Sequence, residues 1–294
     1  MQTKRVVFPS SALPYALIAP QLAITLVFFV WPAAVAIRQS TERADAFGLG
    51  ARFVGLANFR VLFSDPHYLT VAETTLIFVT ATIALTLVFS LALAALTDQV
   101  VRGRTVYTTL LILPYAMAPA VAGVLWFFLF NPTVGVAAHA LTSLGMRWNP
   151  YLNGTDAMIL IVVASAWKQV SYNFLFFVAG LQAIPRSVIE AAALDGAGPA
   201  RRFFAIQLPL IAPTAFFLVV VDGVYAFFDT FAVIDATTRG GPGEATMTLV
   251  YKVYHDGFQG FDFGAAGTQS VVLMAIVFTL TVLQFRYLER GVHY

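Results

Sequence analysis

The sequence predicts an all-α, polytopic membrane protein with six transmembrane helices, and two observations carry that prediction. Of the 294 residues, 59% are hydrophobic and 11% charged, against roughly 45–50% and about 25% in an ordinary soluble domain. A water-soluble fold with that composition has too little polar surface to cover its apolar side chains. The apolar residues also fall into runs long enough to cross a hydrocarbon core of about 30 Å, which takes about 20 helical residues.

The runs are Ala12–Ile37, Val71–Leu96, Tyr107–Phe130, Ala157–Leu181, Leu210–Ile234 and Ala266–Leu288, so residues 1–294 read as a single transmembrane domain. The first follows Lys4 and Arg5 and ends in Ala34-Val35-Ala36, which has the form of a signal-peptidase site. It is longer than the apolar core of a signal peptide, so a retained helix is expected. The first run also carries Pro14, Pro20 and Pro32, and the third carries Pro114, Pro119 and Gly123. Such interruptions are either prolines tolerated in a membrane helix or bends beside a cavity.

Orientation follows from Lys and Arg in the short connections. Lys4, Arg5, Arg102, Arg104, Arg186, Arg201, Arg202, Arg286 and Arg290 fall on the side of the N-terminus. Arg38, Arg43, Arg52, Arg60, Arg147, Arg239 and Lys252 fall on the other, spread over longer loops. The expectation is a multi-pass inner-membrane protein with both termini in the cytoplasm.

Three charges lie within the spans, where ionisable groups are costly and face protein or water. Lys168 lies mid-way along the fourth span, with Ser165 and Tyr172 on its face and Asn173 beside them. Asp222 and Asp229 lie in the fifth, within about 20° of one another around an ideal helix and about 10 Å apart along it, with Tyr225 between them. These residues form either a polar stripe along a solute path or an internal ion pair of Lys168 with one of the acids.

The connection 182–209, on the cytoplasmic side, reads as a helix, a break and a second helix. Ser187 and Glu190 have capping-box spacing, Ala191, Ala192 and Ala193 favour helix, and Gly196 and Gly198 stop it before Pro199. The small alanines leave a surface that another protein can approach closely.

Glu190-Ala191-Ala192, Gly196, Ile206, Leu208 and Pro209 match E-A-A-x3-G-x9-I-x-L-P at every specified position. This segment resembles the EAA loop of the binding-protein-dependent ABC importer permeases. Phe53-Val54-Gly55-Leu56-Ala57-Asn58-Phe59, Leu113-Pro114 with Trp126, Asn131-Pro132 with Gly135, and Gly240-Gly241-Pro242 with Thr246 and Thr248 are similar to further signatures of the carbohydrate-importer branch. Segments 167–177, 225–231 and 269–274 resemble its sn-glycerol-3-phosphate permeases.

The resemblance implies a type I ABC importer permease fold, with Glu190, Ala191, Ala192, Asp195 and Gly196 in a coupling helix that docks on an ATPase subunit. Implied partners are a second, related permease, two copies of the ATPase subunit, a periplasmic binding protein and membrane lipid. No cofactor is expected in this chain, since ATP and Mg would be bound by the ATPase subunits. A path for sn-glycerol 3-phosphate or a glycerophosphodiester is implied, with a neutral sugar or polyol as the alternative. The expected substrate-path residues are Lys168, Tyr172, Asn173, Asp222, Tyr225 and Asp229.

Other classes are disfavoured. None of the lysines, Lys4, Lys168 and Lys252, follows a glycine as a phosphate-cradling loop requires, and His67, His139, His255 and His293 are scattered without a hydrolase or metalloprotease spacing. With no cysteine, thiol chemistry and thiolate metal sites are excluded. A net charge of +2 gives no platform for nucleic acid. Intramembrane acids and a lysine are compatible with an ion-coupled carrier, but no inverted repeat is visible.

Overall fold

The computed structural model describes residues 12–44, 50–98 and 104–291; Lys4, Arg5 and Arg102 lie outside them. Among the described residues, five helices are long and apolar enough to cross a membrane, or six when one sharply bent pair counts as a single span. The chain forms two compact units, one from residues up to Asp65 with Val253–Ala275, the other from Pro66–Lys252 with the chain from Ile276 onward.

The first unit begins with helix α1 (Leu13–Ser40), whose apolar side chains remain exposed along the span. A π-turn at Leu26–Val30 interrupts it after Pro20. A hairpin follows, absent from the all-helical expectation, in which β1 (Glu42–Ala44) pairs antiparallel with β2 (Ala51–Phe53), Arg43 opposite Arg52. Helix α2 (Ala57–Ser64) comes next. Asn58 holds this corner together, its Nδ2 donating to the carbonyls of Ser40 (3.0 Å) and Glu42 (2.8 Å). The Ser40 carbonyl is one that the end of α1 leaves without a helical partner, and Glu42 begins β1. Gly55 turns the chain into α2 at φ +60°, a conformation suited to glycine.

In the second unit, α3 (Pro66–Asp98) and α7 (Gly154–Ala183) are the long helices. Asn153 caps α7, its side chain accepting from the Thr155 amide at 2.9 Å. The buried core gathers Ala94 of α3 with Phe174, Phe177 and Leu181 of α7, and with Ile211 and Leu218 near the start of α10 (Ala212–Asp229). Some hydroxyls on the buried face of α3 bond within the helix or to its neighbours, whereas Thr82 Oγ1 and Thr86 Oγ1 have no partner among the described residues. Ser90 Oγ donates to Thr86 O (2.6 Å), and Thr75 Oγ1 donates to Val71 O (2.8 Å) while accepting from the Leu249 amide (2.9 Å). Hydrocarbon offers such groups no water, so the bonds that Ser90 and Thr75 make replace it.

The third expected span, 107–130, is not one straight helix. α4 (Arg104–Ile112) continues through a 3₁₀ turn, Leu113–Ala116, and α5 (Pro119–Leu129) then leaves at 101°. Pro119 forces the break, because the residue before a proline is pushed out of the helical region; Ala118 sits at φ −62°, ψ 139°. Gly123 of α5 lets α11 (Phe231–Thr237) approach closely: a Cβ there would stand 2.8 Å from Ala236 Cβ.

The remaining helices are α6 (Val136–Ser143), α8 (Arg186–Leu194), α9 (residues 199–210, with a π-turn at Phe203–Gln207), α12 (Leu249–Tyr254) and α13 (Phe263–Gly291). Long apolar helices cover the other expected runs, Leu13–Ser40, Pro66–Thr97, Gly154–Ala183, Ala212–Asp229 and Phe263–Leu283.

Candidate functional site

The 3₁₀ turn after α4, the start of α5, α7 and α10 together line a cavity of about 550 Å³. Its polar wall is Tyr115, Lys168, Gln169, Tyr172, Tyr225 and Asp229, and Pro119, Val220, Val221 and Val224 complete it. The bend at Pro119 thus opens space beside α7. Lys168 Nζ lies 5.7 Å from the centre of the Tyr115 ring, within cation–π range. Tyr115 and Tyr172 are neighbours, ring centres 5.4 Å apart. Tyr225 donates its hydroxyl proton to the Ser165 carbonyl of α7 at 3.1 Å, which holds α10 against α7.

The six residues expected along the path divide. Lys168, Tyr172, Tyr225 and Asp229 line the cavity, whereas Asp222 and Asn173 are buried behind its wall, at 1% and 0% exposure. Asp222 Oδ1 accepts from Gln169 Nε2 at 3.0 Å and its Oδ2 from Asn173 Nδ2 at 2.6 Å. The carboxylate is therefore occupied by two amides of α7. The ion pair weighed for Lys168 is not formed: among the described residues no carboxylate lies within 4.0 Å of its ammonium.

Asp222 and Asp229 part company because of a π-turn, Tyr225–Asp229. A π-turn holds one residue more than an α-turn, so everything beyond it lags by about 100°. Seven-residue spacing, which aligns two side chains on an ideal helix, no longer does so here. Gln169 and Tyr115 were missed as lining residues. The signal for Gln169 was present: Ser165, Gln169 and Asn173 recur every four residues, a polar face on an otherwise apolar helix.

The second candidate region is α8 with the residues that follow it. Ile184, extended before Pro185, ends α7, and Pro185 itself occupies the N-cap of α8 without a side-chain cap. The capping box expected of Ser187 and Glu190 is consequently not formed, because Ser187 already lies inside the first turn. Glu190, Ala191, Asp195 and Gly196 are exposed, Ala192 is half-buried, and Leu194 is 90% exposed.

The helix ends in a Schellman motif. The Ala197 amide donates to Ala192 O (2.9 Å) and the Gly196 amide to Ala193 O (3.1 Å), with Gly196 at φ +80°. Glycine at this point of the E-A-A-x3-G spacing is thus the residue that closes the helix.

Comparison with known proteins agrees with this architecture. Residues 87–294 match the family described as binding-protein-dependent transport system inner membrane component. The chain is 59% identical over 291 residues to the sn-glycerol-3-phosphate transport system permease protein UgpA of Brucella abortus, covering 99% of both chains.

In fold it is similar to a chain of a bacterial ABC transporter involved in import of the acidic polysaccharide alginate, with TM-score 0.80, 20% identity and 96% of each chain covered. It is similar too to a chain of a bacterial alginate ABC transporter in complex with an alginate pentasaccharide-bound periplasmic protein, with TM-score 0.77, 20% identity and 92% of each chain covered. With most of its length matched and a relative so similar from end to end, this chain belongs to the binding-protein-dependent transport system inner membrane components, the multi-pass permease subunits of ABC importers.

Proposed function

We propose that this chain is one of two permeases of an ATP-driven importer for sn-glycerol 3-phosphate or a glycerophosphodiester. It would work with two ATPase subunits that bind ATP and Mg and with a periplasmic binding protein that delivers the solute. The observation that carries the substrate is the 59% identity, over 99% of both chains, to a permease named for sn-glycerol 3-phosphate. A binding protein is supported by the family description and by the complex known for the alginate transporter.

In this reading both termini are cytoplasmic, and α8 enters a groove of an ATPase subunit. Closure of that groove on ATP would move α8, and with it α7, which joins α8 through the single extended residue Ile184 and the cap Pro185. Glu190 is free of any capping bond to its own helix and is available to a partner's donors.

Lys168 supplies the cation for a phosphate, and the tyrosines and Asp229 supply hydrogen-bond partners for hydroxyls. With Asp222 turned away, the cavity presents one cation and one anion. A neutral polyol is the second reading, and the carboxylate of Asp229 is the observation that favours it.

The test is uptake into proteoliposomes holding the full complex, with solute-loaded binding protein outside and ATP inside. Uptake of sn-glycerol 3-phosphate that requires both ATP and the binding protein is expected. Uptake by this chain alone, driven by an ion gradient, would refute the reading. Lys168→Ala is expected to raise KM about tenfold for the phosphate, the loss of one charge-assisted hydrogen bond. An unchanged KM would remove Lys168 from the solute path.

A further inference from the structure

We propose that Gln169 is a specificity-determining residue of the solute path and that Asp222 is its positioning residue. Together they present a fixed hydrogen-bond acceptor to a hydroxyl of the phosphorylated polyol; the inference rests on the solute-path reading above. Gln169 lines the cavity yet is only 4% exposed. An amide group has two faces, a donating NH₂ and an accepting oxygen. One of the two N–H donors is committed, because a carboxylate only accepts and Asp222 Oδ1 lies 3.0 Å from Nε2, and that bond fixes which way round the amide sits.

The accepting face is left for the cavity. Gln169 Oε1 has no partner among the described residues, and, unlike the oxygens of Asn173 and Gln269, it is not sealed from its surroundings. The second oxygen of Asp222 is held by Asn173 at 2.6 Å, so the carboxylate cannot swing and release the amide without breaking a second bond. Lys168, the residue before it on α7, faces the same cavity. An ammonium beside an oriented carbonyl suits a solute in which an anionic group lies a few ångströms from a hydroxyl. A site built to accept a solute's hydroxyl proton discriminates against an analogue without it, because the acceptor is then left unpaired.

The complex in proteoliposomes is assayed with sn-glycerol 3-phosphate and with the two propanediol phosphates that each lack one of its hydroxyls, every solute saturating the same binding protein. Because the binding protein is constant, a changed preference between wild type and variant belongs to the permease. Gln169→Leu is expected to lower glycerol phosphate uptake about tenfold while changing the analogue lacking the recognised hydroxyl by less than about twofold, so that the preference collapses. Asp222→Asn, in which the new amide both donates and accepts, lets Gln169 turn either way and is expected to reduce the preference about threefold.

Equal loss for all solutes, or no loss, would overturn the proposal and leave Gln169 a packing residue. If Gln169→Leu does not assemble, Gln169→Met, unbranched and of similar length, replaces it; failure of both substitutions and of Asp222→Asn to assemble would also make the pair purely structural. Wild-type complex that does not import glycerol phosphate would instead defeat the functional reading, a result distinguishable from an unchanged preference.

Discussion

Gly196 offers a substitution whose effect is confined to one torsion angle. Its φ is +80°, and nothing lies within 4 Å of a Cβ built there. Alanine at this position meets no clash, and its cost is that of placing an L-residue in the left-handed region, about 1–2 kcal/mol. That is roughly a 5- to 30-fold shift in the population of the closed Schellman turn. The turn holds the carbonyls of Ala192 and Ala193, so its loss frays α8 beside the alanines proposed to meet the ATPase. Asparagine tolerates the left-handed region better than alanine, and a β-branched residue worse.

The measurement is ATP hydrolysis by the reconstituted complex, with and without solute-loaded binding protein. Stimulation is expected to fall in the order Gly196, Gly196→Asn, Gly196→Ala, Gly196→Val, with assembly retained for the first three. Full stimulation by Gly196→Ala, or equal damage from asparagine and alanine, would show that the turn's conformation does not matter for coupling.

Other predictions concern the spans and the first unit. Gly123→Ala places a methyl 2.8 Å from Ala236 Cβ and 3.2 Å from Val233 Cα. It is expected to destabilise the α5–α11 contact by about 1–3 kcal/mol, read as a lower Tm in detergent; an unchanged Tm would mean that the helices separate without cost. Asn58→Ala removes the bonds to the end of α1 and to β1 and is expected to cost about 1–3 kcal/mol, with faster proteolysis in the segment 50–65. Asn58→Asp, which cannot donate to those carbonyls, should behave like alanine, and wild-type resistance of either variant would contradict the assignment.

Much of this protein was legible in its sequence because a bilayer imposes a length and a composition on each helix, whatever its neighbours do. Helices long and apolar enough to cross it are therefore readable from apolar runs alone. The break at Pro119 was readable as an interruption, since proline acts on its own backbone and on the residue before it. Gly196 was readable as a helix stop for the same local reason.

Tertiary structure decided what local rules cannot. The π-turn at Tyr225–Asp229 moved Asp229 onto the cavity wall and left Asp222 behind it, a change of phase that residue spacing does not encode. The capping role offered to Ser187 and Glu190 failed because Pro185 set the helix start two residues earlier than the pattern required. The Asp222–Gln169–Asn173 cluster joins residues about fifty positions apart, and only the packing of α10 on α7 brings them within hydrogen-bonding distance. Secondary structure and membrane insertion are settled by each segment against its solvent, whereas the site is settled by which segments touch.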